Sequence, residues 1–302
     1  MVTTSGRTSS PRVSENTATA REVLRKALEQ ANGAIRSNAA LILLTEDPET
    51  VHDARVAVRR LRSQLKTFKR CFDDPWRREL QHDLGILGDE LAALRDSEVL
   101  LDLVLCQVAR MPSGDRLAAA GLLPALIERR DNARREAMLA MASHHHMQVL
   151  ERITVAATHA RTSSLGSQDA REVLAPMVDK EFRRTEAAAR RARKVGSATS
   201  LHHLRLAAKR LRYAAEVLEP VAGKAAKRRS KRAARLQDVL GAHHDAVIAA
   251  DWLRDASYQA ASPTESFAAG MLAASVRRNA RDAQRKWPTV WKRLAATREL
   301  TS

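Results

Sequence analysis

A histidine followed at fixed intervals by cations occurs twice in the chain. The first copy runs His52, Arg55, Arg59, Arg60, Leu61, Arg62, with Lys66 one turn further on; the second runs His202, Arg205, Lys209, Arg210, Leu211, Arg212. Guanidinium groups grip phosphate oxygens bidentately, ammonium groups act as point charges, and imidazole donates a further hydrogen bond. This set suits recognition of an anion rich in oxygens. The spacings that other chemistries need do not occur: there is no G-x-G-x-x-G, G-x-x-x-x-G-K, H-E-x-x-H or paired C-x-x-C. We therefore expect no catalytic residue, no metal ligand and no cofactor.

On a helix turning about 100° per residue, His52, Arg55, Arg59, Arg62 and Lys66 fall within an arc of about 80°. Val51, Val58, Leu61, Leu65 and Phe68 occupy the neighbouring arc, so the basic stripe borders the core-facing stripe and does not oppose it. At about 1.5 Å per residue the stripe is roughly 21 Å long. Arg60 and Arg210 stand off it in both copies, and Glu216 replaces the equivalent of Lys66, ending the second stripe one turn sooner. A basic run on a helix is ordinarily a solvated face. Here few acids are interleaved to make i,i+4 pairs, and the stripe persists in two copies whose surroundings have diverged. Something must neutralise it, and a polyanion would. His52 and His202 open the two stripes; Asp96 and Asp245 are expected to pair with basic side chains and orient them. His144, His145 and His146 have no counterpart in the second half and are expected on a helix surface.

Other blocks repeat with the stripe. Ala20–Leu24 recurs identically as Ala170–Leu174. Leu87, Asp89, Leu91, Arg95 and Asp96 recur 149 residues later as Leu236, Asp238, Leu240, His244 and Asp245. Arg129 and Arg130 recur as Arg277 and Arg278. Four blocks in one order make the chain a tandem duplication of a unit of about 145 residues. Scarce Gly and Pro amid abundant Ala, Leu, Arg and Glu predict helix almost throughout. The breaks place helices near Ala18–Leu44, Glu49–Phe72, Pro75–Ala109 and Asp115–Arg152, then Ser167–Lys194, Ser200–Glu219, Gly223–Ala256 and Thr264–Thr297. Pro124, Pro176 and Pro288 lie within helical patterns, where kinks or shifted boundaries are expected. The fold class is thus all-α: a disordered tail over 1–17, then two antiparallel four-helix bundles over 18–152 and 167–302.

The 302 residues carry 52 Lys and Arg against 35 Asp and Glu, a net charge of +17. Of this, +2 belongs to residues 1–150 and +15 to residues 151–302, so the second half should dominate the steering of an anion. An apolar content of 44% supports a core and argues against wholesale disorder. Two cysteines, Cys71 and Cys106, cannot build a disulfide scaffold, which suits a reducing, cytoplasmic setting. The longest apolar run, Ala39–Leu44, is far shorter than a membrane span, and the first residues lack the apolar core of a secretion signal.

The H-x-x-R-x-x-x-R-R-L-R block, its second copy ending K-R-L-R-Y, and L-Q-D-V-L-G-x-x-x-D at Leu236–Asp245 together resemble the CHAD family, the conserved histidine α-helical domain. The resemblance spans about residues 18–297. It implies two four-helix bundles related by a pseudo-twofold around a basic central cavity, binding of inorganic polyphosphate, and association with polyphosphate granules. Motif by motif it carries over His52, Arg55, Arg59, Arg60, Arg62, Lys66, His202, Arg205, Lys209, Arg210 and Arg212 as ligands. Arg129, Arg130, Arg277 and Arg278 match more loosely. The chain departs from the pattern at Arg95, where the second half has His244, and at Glu216. The family is often fused to a triphosphate tunnel metalloenzyme with an E-x-E-x-K motif; that motif is absent here, and no hydrolase activity is carried over. Two other readings stand beside this one. Charge alone fits a nucleic-acid binder, although ten aromatics give few stacking rings. A metal-binding or phosphohydrolase-associated protein would use His52, His202, His203, His243, His244, Asp96 and Asp245, against a field that repels divalent cations.

Overall fold

The computed structural model describes residues 18–45, 47–297 and 300; the expected tail over 1–17 lies outside them. Ten α-helices follow in order: α1 (Ala20–Leu44), α2 (Pro48–Thr67), α3 (Asp74–Glu90), α4 (Ala92–Val108), α5 (Ser113–Ala120), α6 (Leu123–Met141), α7 (His144–Thr158), α8 (Ala170–Val195), α9 (Ala198–Gln259) and α10 (Pro263–Ala295). Their starts are set by side chains that satisfy free backbone N–H groups. Thr19 and Glu22 form a capping box on α1, and Asp169 accepts from Glu172 N at the equivalent start of α8. Asp73 accepts from Trp76 N at the start of α3.

The second half keeps the four expected helices, but two are fused. At Gly223 the backbone takes φ 55° and ψ −131°, a conformation that side-chain-bearing residues rarely adopt. There α9 folds back on itself, so residues 198–222 and 224–259 form two antiparallel arms. His202 meets His244 with ring centroids 4.7 Å apart, and Ser230 donates to Glu219 at 2.6 Å. Pro220, just before the fold, cannot donate to the helix ladder.

In the first half the third and fourth expected helices are each broken. The helix expected over Pro75–Ala109 divides at Leu91 into α3 and α4, with Leu91 and Leu94 both buried. The helix expected over Asp115–Arg152 divides into α5, α6 and α7. Pro124 lies in the first turn of α6, and Ser143 caps α7 by accepting from His146 N at 3.1 Å. Pro124 is therefore a shifted boundary, whereas Pro176 and Pro288 stay inside α8 and α10. The histidine run also departs from expectation. His144 and His145 are exposed, but His146 is buried and its Nδ1 lies 2.6 Å from Glu90 on α3.

The two halves pack into one another. The largest core cluster joins Leu24, Leu28, Leu61, Leu65 and Phe68 to Leu174, Leu204, Leu211, Leu218 and Leu236. A second joins Leu101, Val104 and Leu126 to Leu253, Leu272 and Val276. A third, with Ile42, Val51, Leu94 and Met141, stays within the first half. Burying each such side chain contributes about 1.5–3 kcal/mol, so a large share of the driving force crosses the boundary between the halves. At one end of that boundary the equivalent residues Thr19 and Asp169 form an antiparallel bridge. Ala20 N donates to Gln168 O and Ala170 N donates to Ala18 O, both at 2.9 Å. The same bond is thus made twice, with the roles of the halves exchanged.

Candidate functional site

Where the apolar stripe of α2 turns inward, the adjoining basic stripe is carried to the edge of the core. The first arm of α9 does the same with the second stripe. The two meet across a cavity of about 320 Å³. Helix α2 contributes His52, Arg55 and Arg59; the first arm of α9 contributes Arg205 and Lys209. Arg95, Asp96 and Val99 enter from α4, and His244, Asp245 and Ile248 from the second arm of α9. Most of this lining consists of duplicated pairs: Arg55 with Arg205, Arg59 with Lys209, Arg95 with His244, Asp96 with Asp245, Val99 with Ile248.

Five Arg and Lys side chains and two histidines face two carboxylates, and the carboxylates are only partly used. Arg55 Nη1 reaches Asp96 at 3.0 Å and also donates to Ala92 O at 2.7 Å and Leu91 O at 3.3 Å. These carbonyls sit at the α3–α4 break, and Leu91 O also accepts from Arg95 N within α4. Arg55 therefore supports the fold as well as lining the cavity, and Asp96 fulfils the expectation of an orienting ion pair. Asp245 holds its proton more tightly than usual, first through burial and opposed by Arg205, which makes it a weaker counter-ion. Arg59 meets the Tyr213 hydroxyl, yet its Nε and that of Arg205 are buried without a hydrogen-bond partner. His202 Nδ1 is in the same position.

The cavity pushes against its own charge. Burial, then Arg59, Arg205 and Arg55, brings the Lys209 pKa down to about 7. His244 falls to about 4 through burial, Arg205 and His202. His52 is lowered by burial and Arg95, and His202 by burial and Arg205. The imidazoles are therefore neutral near pH 7, and Lys209 is only partly charged. An anion entering here would oppose the part of these shifts that neighbouring cations cause, while burial would persist.

The remaining expected ligands lie elsewhere. Arg60 and Arg212 share Glu216, at 3.2 and 2.9 Å, and their guanidinium groups each lie 5.6 Å from the centre of the Tyr213 ring. Glu216 thus ties the halves together and neutralises two cations that the motif alone would offer to a ligand. His202 sits just outside the lining, against the His244 ring. Arg62 and Lys66 are exposed, and Arg210 is half-buried. Arg129 belongs to a shallower depression that shares Asp96, and Arg130 pairs with Asp131 at 2.6 Å. Arg277 and Arg278 are exposed on α10. Conversely, Arg95, Val99, His244 and Ile248 join the cavity although the motif did not assign them. For Arg95 and His244 the signal was the 149-residue repeat; Val99 and Ile248 lie one turn beyond it at the same offset. Among the described residues no group of three or more His, Cys, Asp or Glu could hold a metal ion, and no helix is long and apolar enough to cross a membrane.

Two curated relatives, both uncharacterized proteins of Mycobacterium tuberculosis strains, are 26% identical over 242 residues. The match covers 74% of this chain but 44% of each relative, so the chain spans less than half the length of the curated proteins it matches. Among solved structures, the CHAD domain from the plant Ricinus communis superposes with a TM-score of 0.74 at 26% identity, covering 94% of each chain. PptA from Streptomyces chartreusis shares the fold with a TM-score of 0.77 at 21% identity, covering 91% of this chain and 100% of that one. The CHAD domain family model matches residues 26–254, from α1 into the second arm of α9 and across every residue of the cavity lining, and the chain belongs to that family.

Proposed function

We propose that this protein binds inorganic polyphosphate in the cavity between its duplicated halves, acting as a binding protein and not as an enzyme. The observation that carries the reading is the convergence of Arg55, Arg59, Arg205 and Lys209, the middle positions of both stripes, on one cavity whose cations outnumber its carboxylates. A phosphate chain supplies repeated oxygens for guanidinium groups and offsets the repulsion that, after burial, lowers the Lys209 pKa. Membership of the CHAD family supports the same ligand. The exchanged bonds at Thr19 and Asp169, together with the paired lining residues, support a pseudo-twofold relation between two bundles, 18–152 and 167–302. On this reading the exposed Arg62 and Lys66, and the more loosely matched Arg129, Arg130, Arg277 and Arg278, guide a longer chain over the surface. Association with cytoplasmic polyphosphate granules follows from binding the polymer they contain.

Nucleic acid fits less well. Tyr213, the one aromatic residue within the stripes, is buried, and Arg60 and Arg212 lie over its ring, so it offers no stacking platform. The test is a titration with polyphosphates of graded length against RNA and orthophosphate. The expected result is binding that strengthens with chain length and is not displaced by mixed RNA. Equal affinity for RNA, or preference for orthophosphate, would contradict the reading.

A further inference from the structure

Lys209 combines features that a lysine on an open surface lacks. It is half-buried on the first arm of α9, facing Arg55 and Arg59 from α2 and Arg205 from its own arm. Arg95 and Asp96 of α4, and His244 and Asp245 of the second arm, complete its surroundings. We propose that Lys209 is a modification site: a nucleophilic amine acylated by small acyl phosphates that the surrounding arginines draw into the cavity. The inference rests on the polyphosphate reading only in requiring that the cavity admit a phosphoryl group.

The chemistry follows from the arrangement. The arginines attract the phosphoryl dianion of a mixed carboxylic–phosphoric anhydride, and about 320 Å³ accommodates a two-carbon example. The Nζ lone pair attacks the carbonyl carbon and forms the C–N bond. The carbon–oxygen bond to phosphorus then breaks, and orthophosphate leaves with the proton lost by the amine. Products are an amide and hydrogen phosphate, with no oxidant or further co-reactant. Burial and adjacent cations leave the amine largely unprotonated, the general way a lysine is activated. With its pKa about 7, roughly three-quarters of Lys209 is free base at pH 7.5, against about a thousandth of an ordinary lysine. Acylation would remove one cation from the cavity for good and so weaken its hold on a polyanion. Conversely, a long polyanion filling the cavity would block access to Lys209.

The experiment treats the full chain with acetyl phosphate at pH 7.5 and follows each lysine by peptide mass spectrometry, with Lys209→Arg identifying the peptide. Lys209 should acetylate at least tenfold faster than the exposed Lys227 and Lys231. A rate equal to or below theirs would overturn the proposal. Acetic anhydride, which carries no phosphate, should show a smaller preference for Lys209; an equal preference would overturn recruitment by the arginines. Long polyphosphate added first should suppress acetylation of Lys209 alone. Preferential acetylation that polyphosphate does not suppress would uphold the modification site and sink the polyphosphate reading, so the two fail separately.

Discussion

Cations of the two stripes do different work, and substitutions should separate them. Arg55 satisfies carbonyls at the α3–α4 break. Arg55→Ala removes its bonds to Leu91 O, Ala92 O and Asp96 and should destabilise the fold by about 1–3 kcal/mol, read by denaturant unfolding. Lys209 makes no comparable contribution and sits among three arginines. Lys209→Met should therefore raise stability, on the order of 1 kcal/mol, while weakening polyphosphate binding. If both substitutions destabilise alike, the cavity is not electrostatically strained. The same lysine predicts a pH dependence. Its folded pKa of about 7 lies below that of an unfolded lysine, so the unfolded chain binds more protons from about pH 7 upward. Stability should accordingly rise with pH through that window. The rise is best measured up to about pH 8.5, because burial pushes the Cys71 thiol up to about 11 and its contribution is lost at higher pH. Lys209→Met should flatten the slope; an unchanged slope would assign it to another group. The stripe residues were legible in the sequence because a helix wheel needs only periodicity. The partition between ligand and structural roles was not. It depends on what Arg55 reaches at Leu91 and Ala92 and on where Glu216 lies, and both are set by tertiary packing.

Among the elements, the fold-back of α9 positions the most. Its first arm carries Arg205 and Lys209 and its second carries His244 and Asp245, so the angle at Gly223 sets the spacing of half the cavity. A Cβ on Gly223 would meet nothing within 4 Å, so Gly223→Ala acts through the backbone alone. It should cost roughly 1–3 kcal/mol and reduce polyphosphate affinity, while circular dichroism shows the helix content kept. Unchanged stability would mean that the turn tolerates an ordinary residue. The break itself was readable from Pro220 and Gly223. That it is a hairpin almost without a loop was not, since composition marks a turn but not its tightness. The division of α3 from α4 at Leu91 has no Gly or Pro at the break itself, where Glu90, Leu91 and Ala92 stand. There Leu91 is buried and the Arg55 guanidinium, 36 residues away in sequence, bonds its carbonyl.

At the scale of the molecule, the duplication explains why a cation-lined cavity lies between the halves. Two copies of one amphipathic helix, each with a cationic stripe beside its apolar face, bury the apolar faces together and bring the stripes to one seam. The repeat was visible in sequence, and with it the likeness of the halves. Their interpenetrating cores were not, because apolar periodicity says which face is buried and not against which copy. If the seam is one site, cations in either half must serve the same ligand. The most direct test is calorimetric titration of a short polyphosphate into the native chain and into Arg59→Gln, Lys209→Gln and the double variant. These two residues are equivalent positions of the two halves. The account predicts one ligand per chain, each single variant weakened roughly tenfold, about 1.4 kcal/mol, and the double variant weakened further at the same stoichiometry. Two independent sites per chain, or a folded double variant that binds as the native protein does, would contradict it.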